Sequence, residues 1–398
     1  MRVLISGGGI AGPALAYWLV RAGADVTLVE RAPALRPGGH AVDVRGVARE
    51  VVEAMGLMPA VLDRRVDERG WMMVDSRGRR LASMPAEMFG GEGIVAEIEI
   101  SRGDLAQVLY EASSGATYRF GERVVALTQD ESGVDVAFAS GDRERFDIVV
   151  GADGVHSGVR ALAFGPESEY VRHLGAYTSY FTVADPGDLD NWFHMYNAPG
   201  GRVAGIRPER GGTAKASLGF RSAEGFHRLD RDAQMRLLND RLAGAGWKVP
   251  SLLEAMLDAP DFYFDSISAV RVPTWHRGRV VLLGDAGYCG SPLAGMGTSM
   301  SLVGAYVLAG ELTAGDSPAD AFTEYQAQMA AYVADGTELP PGGVAAFAPK
   351  SALMIRLRAV STRAMTRWPM RKLLEKQFSK AEAMTLKPYA RTPSVGGV

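Results

Sequence analysis

The chain has 398 residues, of which 47% are hydrophobic and 22% charged, with a formal net charge of -3. That length suits two or three domains with large cores, and the balance is that of an ordinary soluble globular protein. The charge gives no reason to expect nucleic acid as a partner. The single cysteine, Cys289, excludes an intramolecular disulfide framework and fits a reducing cytoplasm. No signal peptide is expected ahead of the first strand. The longest uncharged run, residues 286–310, is too rich in Gly, Ser and Thr, and carries Pro292, to span a membrane.

Residues Arg2 to Ser6 read as a buried strand, a short apolar run that ends at a glycine cluster. Gly7, Gly8, Gly9, Ile10, Ala11 and Gly12 fit G-x-G-x-x-G. A helical pattern follows, with Ala14, Leu15, Trp18 and Leu19 on one face and Gly23 at its end. Val26 to Glu30 is a second strand ending in an acid. A lone glycine motif is weak; strand, glycines, helix, strand and terminal acid in this order are strong. Gly7 allows a tight turn, Gly9 lets a pyrophosphate approach the backbone, and Gly12 lets the helix pack on the sheet. The free N–H groups at the helix start then face the phosphates, and Glu30 can accept hydrogen bonds from a ribose diol.

A Pro/Gly loop from Arg31 to His40 follows, with Arg36 and Arg45 as candidates for phosphate contacts from a bound dinucleotide or an incoming nicotinamide nucleotide. Ala48 to Met58 reads as one helix, and Trp71 to Met84 as a hairpin turning at Asp75 to Gly78. A strand from Glu97 leads to Arg102 at the start of a helix carrying Leu105, Val108 and Leu109, with Ser101 or Asp104 as its cap. Phe146 to Asp153 is a buried strand ending in Asp-Gly. From Arg172 to about Ser266, strand-like segments rich in aromatics surround a polar helix, Arg231 to Ala243. That composition suits one wall of an apolar pocket and equally the sheet's own core. Val280 to Asp285 is a buried strand ending in Gly-Asp, followed by a glycine-punctuated turn and helices at Thr298 to Leu312 and Ala319 to Val333. Gly336 to Pro349 reads as a linker. From Lys350 onward there are eleven Lys/Arg against two Glu, a basic amphipathic stretch expected to cover a cleft in its own acidic body.

Three punctuated strand ends thus stand together: Gly7 to Gly12 with Glu30, Gly151 to Gly154, and Gly284 with Asp285. With the complete D-G-x-x-S-x-V-R of Asp153 to Arg160, the chain resembles the class A FAD-dependent aromatic hydroxylases of the para-hydroxybenzoate hydroxylase fold. It is most similar to the branch containing the tetracycline-inactivating monooxygenases. The resemblance runs over essentially the whole chain. It implies an α/β fold: a Rossmann-like FAD-binding domain of the GR2 type, an inserted mixed β-sheet substrate domain and a C-terminal helix. The expected boundaries are 1–70, 98–170 and 267–335 for the FAD-binding domain, 71–97 and 171–266 for the substrate domain, 350–386 for a capping helix and 387–398 for a flexible tail.

By the same resemblance, Gly9 to Gly12 would hold the pyrophosphate, Glu30 the adenosine ribose and Asp285 the ribityl or ribose hydroxyls. Arg102 and Asp43 would contact FAD, and Asp153 would serve FAD and NAD(P)H, often indirectly. Gly7, Ile10, Ala11, Arg31, Arg45, Val125, Gly284, Pro292, Gly295, Gly297, Thr298 and Ser299 complete the cofactor candidates. Arg36 is the NAD(P)H candidate, and Tyr177, Tyr180, Phe193 and Phe220 are the substrate candidates. Reduced flavin is an anion, and a helix N-terminus at Gly297 to Ser299 presents free N–H groups to that charge. The chain departs from the family at Tyr288, where a histidine is usual, and at Met296 and Ser299, where amides are usual.

The implied function is an FAD-dependent monooxygenase using NAD(P)H and O₂ to hydroxylate a polyketide-like or polycyclic natural product through a flavin C4a-hydroperoxide. No catalytic side chain is assigned, because the cofactor carries the chemistry. Such an enzyme would be cytoplasmic, a monomer or weak homodimer, and would act in antibiotic biosynthesis or resistance. The alternatives are a flavin-dependent reductase that inserts no oxygen and a flavin-binding sequestration protein.

Overall fold

The computed structural model describes residues 1–36, 38–88, 98–226, 229–365 and 384–389. Two large sheets organise them. The first has six strands, in the order 276–277, 280–282, 148–151, 2–6, 25–30 and 117–120. All pair in parallel except the 276–277 edge, with Leu4 beside both Thr27 and Val149. Val3, Leu4, Ile5, Ile148, Val149 and Val150 are fully buried, as a parallel sheet covered on both faces requires. The helices Ala11–Arg21, Arg102–Ala112, Gly297–Ala314 and Pro318–Gly336 pack around it.

The second sheet has eight strands, in the order 288–289, 263–271, 171–184, 213–221, 202–208, 192–198, 70–74 and 80–85. It is antiparallel except where Trp192–Ala198 runs parallel to Gly70–Val74. One face is covered by the helices Arg231–Leu242 and Val249–Asp258. The other looks toward the first layer. A two-stranded ribbon, Ala41–Asp43 with Glu99–Ser101, lies between the layers, and a three-stranded sheet of residues 124–146 flanks the first.

The expected helix Ala48 to Met58 is two helices, Val47–Ala54 and Met58–Asp63, because Gly56 adopts φ +72° between them. Within the expected linker the short helix Gly343–Phe347 forms. The basic stretch forms the helix Ala352–Met365, which lies on the second sheet with Ala359 beside Trp71 and Met84. Arg358 sits 5.3 Å above the Trp71 ring and donates to Asn197 Oδ1 at 2.9 Å. The rest of the expected capping helix through residue 383, and the tail from residue 390, lie outside the described residues.

Residues 384–389 correct the expected boundaries, being neither helical nor loose. The Tyr389 ring fills a notch at Gly310, where a Cβ would stand 2.2 Å from a ring carbon. Its hydroxyl donates to Glu311 Oε1 at 2.7 Å, as do Lys387 Nζ at 2.7 Å and Gln328 Nε2 at 2.6 Å. Three donors on one buried carboxylate outweigh the entropy of a short segment.

A second tie joins the layers. His156 follows the Asp-Gly strand end, and its ring nitrogens lie 3.1 Å from Glu167 and 3.2 Å from Asp265 of the second sheet. Tyr263 donates to the same Asp265 at 2.6 Å, and Arg160 stands 3.8 Å from Glu167. Hydrogen bonding to Asp265 raises the His156 pKa to about 9 against the opposing effect of burial, with Glu167 adding to the rise.

Tyr389→Ala should lower stability by about 2–4 kcal/mol in urea denaturation, from lost ring packing. Gly310→Ala should cost about 1–3 kcal/mol by overpacking, and far less when Tyr389 is already Ala. The His156 contribution should be complete below pH 6.5 and vanish as pH rises through about 9, since the folded state holds this proton more tightly. The thermal midpoint of the wild type should therefore fall more steeply than that of His156→Ala between pH 7 and pH 10.

Candidate functional site

Close approach shapes the opening turn. Gly7 has φ +118°, and a Cβ there would stand 2.3 Å from the Ala152 carbonyl oxygen. A Cβ on Gly12 would stand 2.0 Å from the Gly7 carbonyl oxygen. Strand and helix therefore meet backbone to backbone. The helix Ala11–Arg21 begins after Ile10 with no side-chain cap and no acid in its first turn. Its free N–H groups and dipole are left to attract an anion.

Glu30 closes this end of the groove. Its carboxylate accepts the Gly8 N–H at 2.8 Å and the Ala32 N–H at 2.9 Å, which fixes its position and leaves lone pairs for further donors. Gly121 and Glu122 donate to the carbonyls of Ala32 and Glu30, so the segment leading to Val125 abuts the same corner. Val125 itself is exposed, at a bulge between Val124 and Ala126. Arg31 and Arg36 are exposed.

Arg102 overhangs the glycines, with Nη2 3.1 Å from where a Gly9 Cβ would be. Of the two expected caps Ser101 serves: its Oγ accepts the Asp104 N–H at 3.0 Å and donates to the Asp104 carboxylate at 2.8 Å. Burial and then the Arg36 charge lower the Arg102 pKa, while Asp285 and Glu30 oppose them. The backbone N–H groups of Arg102 and Gly103 donate to the carbonyls of His40 and Gly38, fastening that loop beside the groove. The His40 ring stacks on Tyr180, centroids 4.9 Å apart. Burial, with Arg102 and Arg207 nearby, pulls its pKa down to about 4, so the imidazole is neutral at pH 7.

At the other end, Arg45 pairs with Asp43 at 2.6 Å, and its N–H donates to Ser299 Oγ at 3.2 Å. Gly284 packs against Ala11 and Ser301 and carries Asp285, which faces the start of the helix Gly297–Ala314. Burial raises the Asp285 pKa, opposed by Cys289 and by the charge of Arg102. That helix also begins without a side-chain cap or an acid in its first turn, where Thr298 and Ser299 stand. Pro292 opens the turn before it, and Gly295 continues it at φ +71°. Ser291 is held at φ +79°, a conformation costing about 1–3 kcal/mol that the turn imposes. A Cβ at Gly295 would meet nothing nearer than Asp43 Oδ2 at 3.9 Å, so this backbone is open to a planar group.

Asp153 has a different local task. Its carboxylate accepts from Ser157 Oγ, from Gly158 N–H at 2.8 Å and from Val159 N–H at 3.2 Å, capping the helix Gly158–Ala163. Arg160, fully buried, donates to the Ala286 carbonyl at 2.9 Å and ties the Asp-Gly strand end to the Gly-Asp one. The departures also find places. Tyr288 is buried, bonded to the Tyr325 hydroxyl at 2.6 Å and packed on Trp275. Ser299 supports Arg45. Cys289 is a buried thiol whose pKa burial pushes well up, with no sign of activation.

The substrate candidates divide. Tyr180 stacks on His40 beside the groove, and Phe193 packs with Trp71 and Met84 and against Arg207, away from the side chains under the sheet's helices. Tyr177 and Phe220 are in the core under the helices Arg231–Leu242 and Val249–Asp258. Tyr177 stacks on Phe264, and its hydroxyl donates to the Glu224 carbonyl at 2.9 Å. Sequence reasoning passed over Lys215, whose buried ammonium donates to Asp261 at 2.8 Å and to Thr182 at 2.6 Å beneath Gly38. A lone lysine in a strand of small and apolar residues was the available signal.

Two uncapped helix starts, a guanidinium and two carboxyls thus line one groove whose glycines leave the backbone bare. That donor set fits FAD: amide hydrogens and Arg102 for the pyrophosphate, Glu30 and Asp285 for hydroxyls, and an open turn for the ring.

Known proteins agree. The FAD binding domain family matches residues 1–335. A protein of Mycobacterium tuberculosis (strain ATCC 25618 / H37Rv), Rv1260, is 44% identical over 83% of this chain and 90% of its own. A flavin-dependent monooxygenase of Legionella longbeachae serogroup 1 (strain NSW150) is 36% identical over 84% of this chain and 86% of its own. The solved tetracycline destructase Tet(51) superposes with a TM-score of 0.81 at 33% identity, covering 98% of this chain and 99% of that one. The chain belongs to the FAD binding domain family and is an FAD-dependent oxidoreductase of the class A flavin monooxygenases.

Proposed function

We propose that this enzyme uses NAD(P)H and O₂ to hydroxylate a polycyclic, polyketide-like small molecule. The observation that carries the reading is the pair of uncapped helix starts flanking one groove beneath a sheet face bearing Tyr180 and Phe193. The similarity to the tetracycline destructase over nearly the whole chain supports the substrate class.

Bound FAD would draw two electrons from NAD(P)H and pass one atom of O₂ to the substrate, the other leaving as water. The chain's own residues bind and orient. The described residues of 1–70, 98–170 and 267–335 would supply the cofactor side, and those of 71–97 and 171–266 the substrate wall. Gly9 to Gly12 and Arg102 would hold the pyrophosphate, Glu30 the adenosine ribose and Asp285 the ribityl or ribose hydroxyls. Gly295 to Ser299 would offer the ring free N–H groups, which favour negative charge on it. Arg36, exposed and with its charge felt at Arg102, would meet the nicotinamide nucleotide. Asp153 acts indirectly, by fixing the helix that follows it. Tyr180 and Phe193 offer the flat apolar surface that a fused-ring substrate needs.

Glu30→Ala and Arg102→Ala should each weaken FAD retention about tenfold or more, measured as flavin remaining after gel filtration; unchanged occupancy in both would remove these assignments. Turnover of a polyketide panel under ¹⁸O₂ should yield product heavier by one labelled oxygen. Equal turnover without oxygen would favour a reductase, and ligand binding without NAD(P)H consumption would favour sequestration.

A further inference from the structure

Three cations near the groove have an acid beside them. Arg45 meets Asp43 at 2.6 Å, Lys215 meets Asp261 at 2.8 Å and Arg207 meets Glu68 at 2.9 Å. Arg358, on the helix Ala352–Met365, is different. Its Nη1 donates to Asn197 Oδ1 at 2.9 Å and to the Phe347 carbonyl at 3.4 Å, while its Nη2 reaches the Met195 thioether at 3.7 Å. Among the described residues no carboxylate pairs with it. Burial lowers its pKa to about 10 with no neighbouring acid to raise it, so the guanidinium is charged at pH 7. Beneath it the buried Trp71 indole N–H has no acceptor. Donors here outnumber acceptors, and a part-buried charge without a counter-charge is costly unless a ligand brings one.

The sheet connects this cation to the groove. Cross-strand pairs run from Tyr180 to Ser217, from Ser217 to Gly205 and from Gly205 to Met195, and directly paired residues share a face. Tyr180 and Met195 are three strands apart, about 14 Å at ordinary strand spacing. Only a serine and a glycine stand between them, and the Phe193 ring leans over Gly205, 2.9 Å from where its Cβ would be. Tyr180, Ser217, Phe193, Met195 and Arg358 are all partly exposed, so this floor is not sealed. Tyr180 marks its end at His40, and Arg358 the other end. The Phe347 carbonyl that Arg358 shares with Asn197 belongs to a residue packed with Leu293 of the turn Pro292–Ala294. The guanidinium is thus joined through Phe347 to the turn proposed for the flavin ring.

We propose that Arg358 binds an anionic oxygen of the substrate, an enolate, phenolate or carboxylate carried on a fused-ring frame that lies over Ser217 and the Phe193 ring. Nη1 is occupied by Asn197 and Phe347, which fix the guanidinium, and the Trp71 ring supports its plane at 5.3 Å. Nη2 has only a weak sulfur acceptor, so it is the donor left for the ligand. This role rests on the oxygenase reading of the groove, and it adds that the polycyclic substrate is acidic.

The test is calorimetric binding to the full-length, FAD-loaded, oxidised enzyme at pH 7 without NAD(P)H. The probes are 4-hydroxycoumarin, an enol ionised at that pH, its neutral methyl ether, and naphthoate as a carboxylate. At least one anion should bind about tenfold or more tighter than the ether, the margin that a charge-assisted hydrogen bond provides; the anion that does so identifies the kind of oxygen read. In Arg358→Met, which keeps an apolar chain on Trp71, the preference should vanish while FAD occupancy stays at the wild-type level. In Arg358→Lys part of it should remain. Wild-type enzyme that binds no anion more tightly than the ether would overturn the proposal, a result that needs no variant to fold. An anion preference surviving in Arg358→Met would overturn it too. Because no turnover is involved, either failure leaves the outcome under ¹⁸O₂ to decide the oxygenase reading separately.

Discussion

The contact between the Gly12 helix start and the Gly7 carbonyl is the constraint on which the rest depends. With side chains absent at both positions, the helix Ala11–Arg21 begins directly against the strand end, and its unpaired amides open onto the groove. Gly284 brings Asp285 to the same place by packing on Ala11. Arg102 then overhangs Gly9. A single methyl group at Gly12 would push the helix from the sheet and displace its free amides. Tolerance of size at this point is near zero, because the atom that would be met is backbone and not a movable side chain.

Charge around the groove is arranged by pairing, except where a ligand is to sit. Asp43 is matched by Arg45, Lys215 by Asp261, and Asp153 is spent on a helix start. Arg102 and Asp285 instead face the bare glycines, each with a pKa displaced by burial toward its neutral form. An anionic, hydroxyl-rich cofactor would supply what both lack. The neutral His40 on Tyr180 fits the same picture, since a further cation beside Arg102 and Arg207 would be repelled.

Much of this was legible in the sequence because it is local. The glycine motif, Glu30, the Ser101 and Asp104 cap and the hairpin turn at Asp75 to Gly78 are encoded within a few residues of where they act. The aromatic strands were harder to read. Val171–Ala184 carries large rings on both faces, and a bulge between His173 and Tyr177 shifts its register, so alternation alone could not say which side Tyr177 takes. Helices from residues 231–258 decide it by covering that side. Residues 384–389 were read as helix end and loose tail because nothing nearby holds them; their partner, Glu311, is 78 residues away from Tyr389. The break at Gly56 was visible in composition, but only its backbone angle ends the helix.

The parallel pairing of Gly70–Val74 with Trp192–Ala198 has a consequence for biosynthesis. As the ribosome releases the chain, the early hairpin must wait for more than a hundred further residues before its neighbour exists. The six-stranded layer waits longer still, for Val280–Leu282. Neither layer can mature ahead of the other, so excised halves should not fold, and the nascent protein should lean on chaperones until its last strands emerge.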